Sequence, residues 1–116
     1  MKRKQLRMGK GFRVALANQR SQAAEMVLAP GDKEGDAKNR HHGADQWLFV
    51  VSGTGRATIN GKRYGLKAGT LLLIERDDNH EILNSGRGNL CTLNLYVPPA
   101  YTKRGDPLPA AKPGGS

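Results

Sequence analysis

Short apolar segments with a period of two recur along this chain, each closed by a turn signal. FRVALA (12–17), AAEMVLA (23–29), QWLFVV (46–51), RATI (56–59), KRYGL (62–66), GTLLLI (69–74), HEIL (80–83) and LCTLNLYV (90–97) have the length and composition of β-strands. The Asn60-Gly61 pair between RATI and KRYGL is the strongest hairpin signal, because both positions tolerate a positive φ. Within QWLFVV, Trp47 and Phe49 share one face and Leu48 and Val50 the other, so all four are expected in a core or an interface. The glycine- and charge-rich PGDKEGDAKN (30–39) is expected to be an exposed, mobile loop. About eight short antiparallel strands predict an all-β fold, a sandwich, barrel or jelly roll.

Length and composition agree with that pattern. A chain of 116 residues makes one domain with one core. Aromatics are only 5% against 15 glycines and 6 prolines, which favours short strands and tight turns over long helices. The single cysteine, Cys91, excludes an internal disulfide and a cysteine-rich zinc site, and demands no oxidising compartment. The longest apolar run is the five residues Trp47 to Val51. A signal-peptide core needs about seven and a membrane helix about twenty. A soluble, cytoplasmic protein with no membrane partner is expected.

The formal charge of +9 raises the question of nucleic acid, and its location answers against it. Six of the 19 basic residues (Lys2, Arg3, Lys4, Arg7, Lys10, Arg13) fall in the first thirteen positions; without them 13 basic residues face 10 acidic ones, a balance of +3. The few aromatics form no repeated stacking pattern, so nucleic acid is not the expected partner. Residues 1–11 are expected as a basic flexible arm, 12–98 as the barrel and 99–116 as a proline- and glycine-rich tail. With five prolines after Val97, that tail can wrap the surface but cannot add a central strand.

Two spaced motifs sharpen the reading. Gly69, Glu75-x-Asp77, His80 and Asn84 match the spacing of glycine, five residues, Pro-x-Gly, two residues, His, three residues, Asn; Glu75 and Asp77 are departures at turn positions. Upstream, Gln46 followed by six residues reaches Gly53, in GADQWLFVVSG. Together the two motifs span residues 39 to 84, in order, and resemble those of the cupin family. The resemblance implies an antiparallel double-stranded β-helix, a jelly-roll barrel, with its functional centre inside the mouth. It also implies a divalent-metal site, which in the family is built from two histidines and a glutamate of the first motif and the histidine of the second. Here those places fall on Asn39, His41, Gln46 and His80. A three-residue spacing would instead select His42, with Arg40 before it.

Imidazoles and a carboxylate suit Fe, Mn, Ni or Zn and leave positions open for substrate. Gln46 offers an amide where the family has an anion, so weak metal affinity is expected. The same side chains would equally serve as hydrogen-bonding groups of a polar barrel interior. The acids around His80 (Glu75, Asp77, Asp78 and Glu81) would either fix its tautomer or favour its protonated form. Tyr96, Tyr101 and Cys91 have no partner visible in sequence. Two functional classes therefore stay open: a metal-dependent isomerase, lyase or dioxygenase acting on a small oxygen-rich substrate, and a metal-free module binding a sugar or other small molecule. A homodimer is expected, because small β proteins must cover their sheet edges and cupins commonly pair through outer strands.

Overall fold

The computed structural model describes residues 1–40 and 43–108, those at 36–40 by backbone alone. Among the described residues the chain forms nine strands: β1 (Gly11–Ala17), β2 (Gln22–Leu28), β3 (Lys33–Arg40), β4 (Asp45–Ser52), β5 (Gly55–Ile59), β6 (Lys62–Leu66), β7 (Leu71–Ile74), β8 (Asn79–Leu83) and β9 (Leu90–Val97). They build two antiparallel sheets, β1-β2-β9-β4-β7 and β3-β8-β5-β6. From β2 to β5 and from β6 to β9 every connection crosses between the sheets, as in a jelly roll, while β1-β2 and β5-β6 are hairpins within one sheet. Among the described residues no helix is long and apolar enough to cross a membrane.

Eight strands coincide with the apolar segments; β3 does not. The stretch expected as a mobile loop, 30–39, instead contributes most of a strand paired with β8, from Lys33 opposite Leu83 to Asp36 opposite His80. Gly31 donates to the Asn84 carbonyl and Asn84 to that of Asp32, both at 2.9 Å, extending the ladder. The physical reason for the difference is that this pairing runs through backbone groups, which every residue carries and which leave no apolar period in the sequence.

The core lies between the sheets. Met26, Leu48, Val50, Ala57, Ile74, Ile82 and Leu90 are all essentially inaccessible; fully burying an aliphatic side chain contributes about 1.5–3 kcal/mol. In β9 the polarity is reversed from the usual pattern toward one end. Thr92, Asn94 and Tyr96 point inward and are wholly buried, while Leu95 and Val97 face out at 42% and 44% exposure. The neighbouring strands share that apolar outer face. Trp47 stands opposite Leu73 on one side and Leu95 on the other, and Phe49 stands opposite Leu71 and Leu93. Leu48 and Val50 thus take core positions, and Trp47 and Phe49 belong to an exposed apolar surface.

The N-terminal residues and the segment that follows β9 both touch this sheet. Lys2 Nζ donates to the Ala17 carbonyl at 2.6 Å, and Met1 and Lys2 line an open hollow of about 650 Å³ together with Trp47, Leu95 and Val97. The C-terminal segment folds back so that Tyr101 bridges Pro107.

Two turn glycines differ in what surrounds them. Gly53 (φ +92°) follows β4, and a Cβ there would strike the Asn89 carbonyl oxygen and come within 2.9 Å of Leu90 Cα; Gly61 (φ +81°) has open space. Gly53→Ala is therefore expected to cost more than about 2 kcal/mol, and Gly61→Ala only about 1 kcal/mol, the intrinsic cost of a left-handed L-residue. Urea denaturation of both variants measures the difference; equal losses would count against the close packing at Gly53.

Candidate functional site

One end of the barrel holds a row of buried polar side chains. Gln22 of β2, Tyr96 of β9 and Gln46 of β4 stand in a single row across the large sheet, since Tyr96 is opposite both glutamines. All three face inward, and none is more than 4% exposed. Paired inward side chains on adjacent strands lie within contact reach, so the row forms one wall of the mouth.

Each member is used differently. Gln22 holds the C-terminal segment: its amide nitrogen donates to the Tyr101 carbonyl at 2.7 Å, and its amide oxygen accepts from the Ala100 and Tyr101 backbone N–H groups at 3.2 and 3.1 Å. Tyr101 is thereby set 5.0 Å from Tyr96 and 4.7 Å from Phe12, ring centre to ring centre. Tyr96 accepts from the Asn94 amide at 3.4 Å, and Asn94 in turn accepts from Thr92 at 3.0 Å. Gln46 is unlike either. Its amide is completely buried, and among the described residues neither Oε1 nor Nε2 has a hydrogen-bond partner. Leaving such a group unmatched costs about 1–3 kcal/mol, a penalty that a purely structural residue at this position would not incur if it were apolar.

The opposite wall carries His80, from β8. Its side chain is 4% exposed, and its Nε2 lies 3.6 Å from Oε2 of Glu34, on β3. Gly35 makes that approach possible: with φ at +80°, it brings the β3 backbone so near that a Cβ would lie 2.7 Å from the His80 carbonyl oxygen and 3.3 Å from Nε2. Two of the acids near His80 in sequence, Asp78 and Glu81, are engaged elsewhere. Asp78 accepts from the Glu75 backbone N–H and from the Asn60 amide, both at 2.8 Å, which closes the turn before β8. Glu81 pairs with Lys33 at 3.6 Å. Asn84, the last residue of the second motif, is a structural pin: its amide donates to the Leu28 and Gly88 carbonyls and accepts from Gly86 N–H.

The structure thus sets His80 and Gln46 inward in the barrel, on opposite sheets. Asn39 lies within β3. His41 and His42 lie outside the described residues. Among the described residues no three His, Cys, Asp or Glu side chains are grouped to hold a metal ion; the amide of Gln46 is not of that class. Sequence reasoning missed Glu34, which sits in the segment without a strand period, and Gln22 and Tyr101, which meet only because the tail folds back. No local pattern marks any of the three.

Burial, then the charges of Tyr101 and Glu34, raises the Tyr96 pKa well above its ordinary value, and burial followed by the Glu34 charge pushes Tyr101 up to about 12. Both hydroxyls therefore stay protonated at neutral pH, and the two are hydrogen-bonded to each other. They also place the Glu34 carboxylate within electrostatic reach of the tyrosine pair, and so on the same mouth as Gln46. A phenol whose pKa is higher folded than unfolded adds stability that is complete below about pH 10 and is lost as pH rises toward 12. Folding free energy is expected to fall across pH 10–12, with a smaller fall in Tyr101→Phe; denaturant melts at pH 8, 10 and 11.5 measure it, and identical pH slopes for the two proteins would contradict it.

Comparison with known proteins places the barrel among relatives. The cupin domain family model matches residues 24–96. An oxalate-binding protein of Thermotoga maritima is 29% identical over 83 residues, 72% of this chain and 67% of that protein. Among solved structures, a predicted oxalate decarboxylase from Thermotoga maritima superposes with a TM-score of 0.68 at 26% identity, covering 76% of this chain and 79% of the other. A Bacillus halodurans protein superposes with a TM-score of 0.73 at 20% identity, covering 80% and 74%, a likeness of fold.

Proposed function

This chain belongs to the cupin family, and on that premise we propose that its barrel mouth binds a small oxygen-rich acid of the oxalate class through one divalent ion, Fe, Mn, Ni or Zn. His41, Gln46 and His80 are the residues assigned to the ion, with Asn39 and His42 as weaker candidates. The observation that carries the reading is the Gln46 amide, wholly buried and without a hydrogen-bond partner among the described residues, at the position of the family's carboxylate. An amide oxygen and a neutral imidazole are both acceptable donors to such ions, so the residues fit the group, at reduced affinity.

A bound ion supplies Lewis-acid attraction for carboxylate oxygens. The chain's own residues do the rest. Tyr96, buried, and Tyr101, half-buried, line one side of the mouth with protonated hydroxyls, and the Phe12 ring packs against both. Likeness to an oxalate-binding protein supports the ligand class. Isomerase, lyase and dioxygenase chemistry are the catalytic alternatives to simple binding.

The proposal is tested at position 46. If the amide is a neutral ligand, Gln46→Glu adds the anionic donor, and affinity for Mn, Ni, Zn or Fe(II) rises about tenfold or more by titration calorimetry. If the mouth takes its ligand without metal, the same change buries a carboxylate with no cation. Stability then falls by about 1–3 kcal/mol with no gain for any metal. That second outcome would favour a metal-free binding module.

We also propose that the protein is a homodimer, through the outer face of the large sheet. Trp47, Phe49, Val51, Leu71, Leu73 and Leu95 are each 39–58% exposed there, on three adjacent strands. A contiguous apolar face of this kind suits a two-fold, self-complementary contact. Light scattering should give twice the chain mass for the wild type and a monomer for Leu73→Glu; a wild-type monomer at high concentration would remove the proposal.

A further inference from the structure

We infer that Glu34 of β3 is the anionic ligand of this site and supplies the carboxylate that position 46 lacks. The assignment rests on the metal-site reading above, and it concerns a residue outside both sequence motifs.

Geometry carries it first. Glu34 Oε2 and His80 Nε2 are 3.6 Å apart, longer than the 2.7–3.2 Å of a hydrogen bond. Two donors sharing one ion at about 2.0–2.2 Å are separated by about 3.0–3.5 Å, for octahedral to tetrahedral angles. The observed spacing is closer to that of two ligands on one ion than to a direct bond between them. Glu34 Oε2 is also sealed from solvent, although the side chain as a whole is 20% exposed. The buried oxygen is the one turned toward the imidazole.

Backbone conformation gives the second argument. A strand carrying a left-handed residue beside an imidazole is strained for anything but glycine, and Gly35 occupies that position. A Cβ at Gly35 would lie 3.3 Å from His80 Nε2, and the residue beside this glycine in the strand is Glu34. Charge gives the third. Neutral imidazoles and the Gln46 amide provide no anion to offset the loss of hydration of a divalent ion, and attraction to one buried carboxylate at low effective dielectric is large. Asp78 and Glu81 are committed to a turn and to Lys33, and among the described side chains Glu34 is the acid beside the His80 imidazole.

The test is calorimetric titration of the full-length chain with Mn and Zn, comparing wild type, Glu34→Gln and the double variant Glu34→Gln/Gln46→Glu. The expected result is a loss of about tenfold or more in Glu34→Gln and recovery in the double variant, where the carboxylate has crossed from β3 to β4. Glu34→Gln binding as tightly as wild type would overturn the assignment while leaving the metal site standing. A loss that the double variant does not recover would also overturn it, as the mark of a structural role. Failure of the wild type to take up either metal would retire the metal-site reading itself, and Glu34's role with it. Should Glu34→Gln not fold, Glu34→Asp keeps the charge and shortens the arm; the visible spectrum of bound cobalt(II) is then expected to change, and an unchanged spectrum would overturn the assignment.

Discussion

The pairing of β3 with β8 is the interaction on which the rest of the mouth depends. It adds the edge strand of the small sheet, brings Glu34 to His80, and sets at Gly35 a left-handed conformation that favours glycine. Without it the second motif's histidine would face the large sheet's polar row across an open edge. The interaction is made by backbone groups at little side-chain cost, which leaves the side chains of the segment free to carry charge. A charged strand at a sheet edge also resists unwanted pairing with other chains.

The large sheet performs two tasks with its two faces. Its inner face passes from an aliphatic core to the row of Gln22, Tyr96 and Gln46, while its outer face presents tryptophan, phenylalanine and leucine. Strand β9 shows the exchange most clearly, with Thr92, Asn94 and Tyr96 buried and Leu95 and Val97 exposed. Buried polar groups must be matched by partners or by a ligand, and an exposed apolar face must be covered or tolerated. Of the row, Gln22 is satisfied by the returning tail and Tyr96 by Asn94, which leaves the Gln46 amide as the group turned to chemistry.

Much of the fold was legible because period-two alternation is a direct consequence of strands with one face in a core. β4 and β9 are read correctly for that reason, and the Asn60-Gly61 hairpin because its backbone angles restrict the residues allowed. β3 was illegible because its sequence, KEGDAKNR, has no apolar period and its pairing runs through the backbone. The candidate site divides in the same way. Gln46 and His80 were found by motif spacing, which reflects strand and turn lengths. Glu34, Gln22 and Tyr101 act through contacts between distant segments: 79 positions separate Gln22 from Tyr101, and 46 (80 − 34) separate Glu34 from His80. A pattern confined to neighbouring residues does not encode such meetings. Polarity in β9 misleads for a related reason, since the apolar set of that strand faces outward.

The central claim is that one barrel mouth joins Glu34, His80 and Gln46 around a single divalent ion. Anomalous diffraction from crystals grown with manganese or zinc tests it most directly. The account predicts one peak inside the mouth, within about 2.0–2.3 Å of Glu34 Oε2, His80 Nε2 and Gln46 Oε1. Metal peaks confined to the protein surface, or a peak in the mouth that Glu34 does not reach, would contradict it.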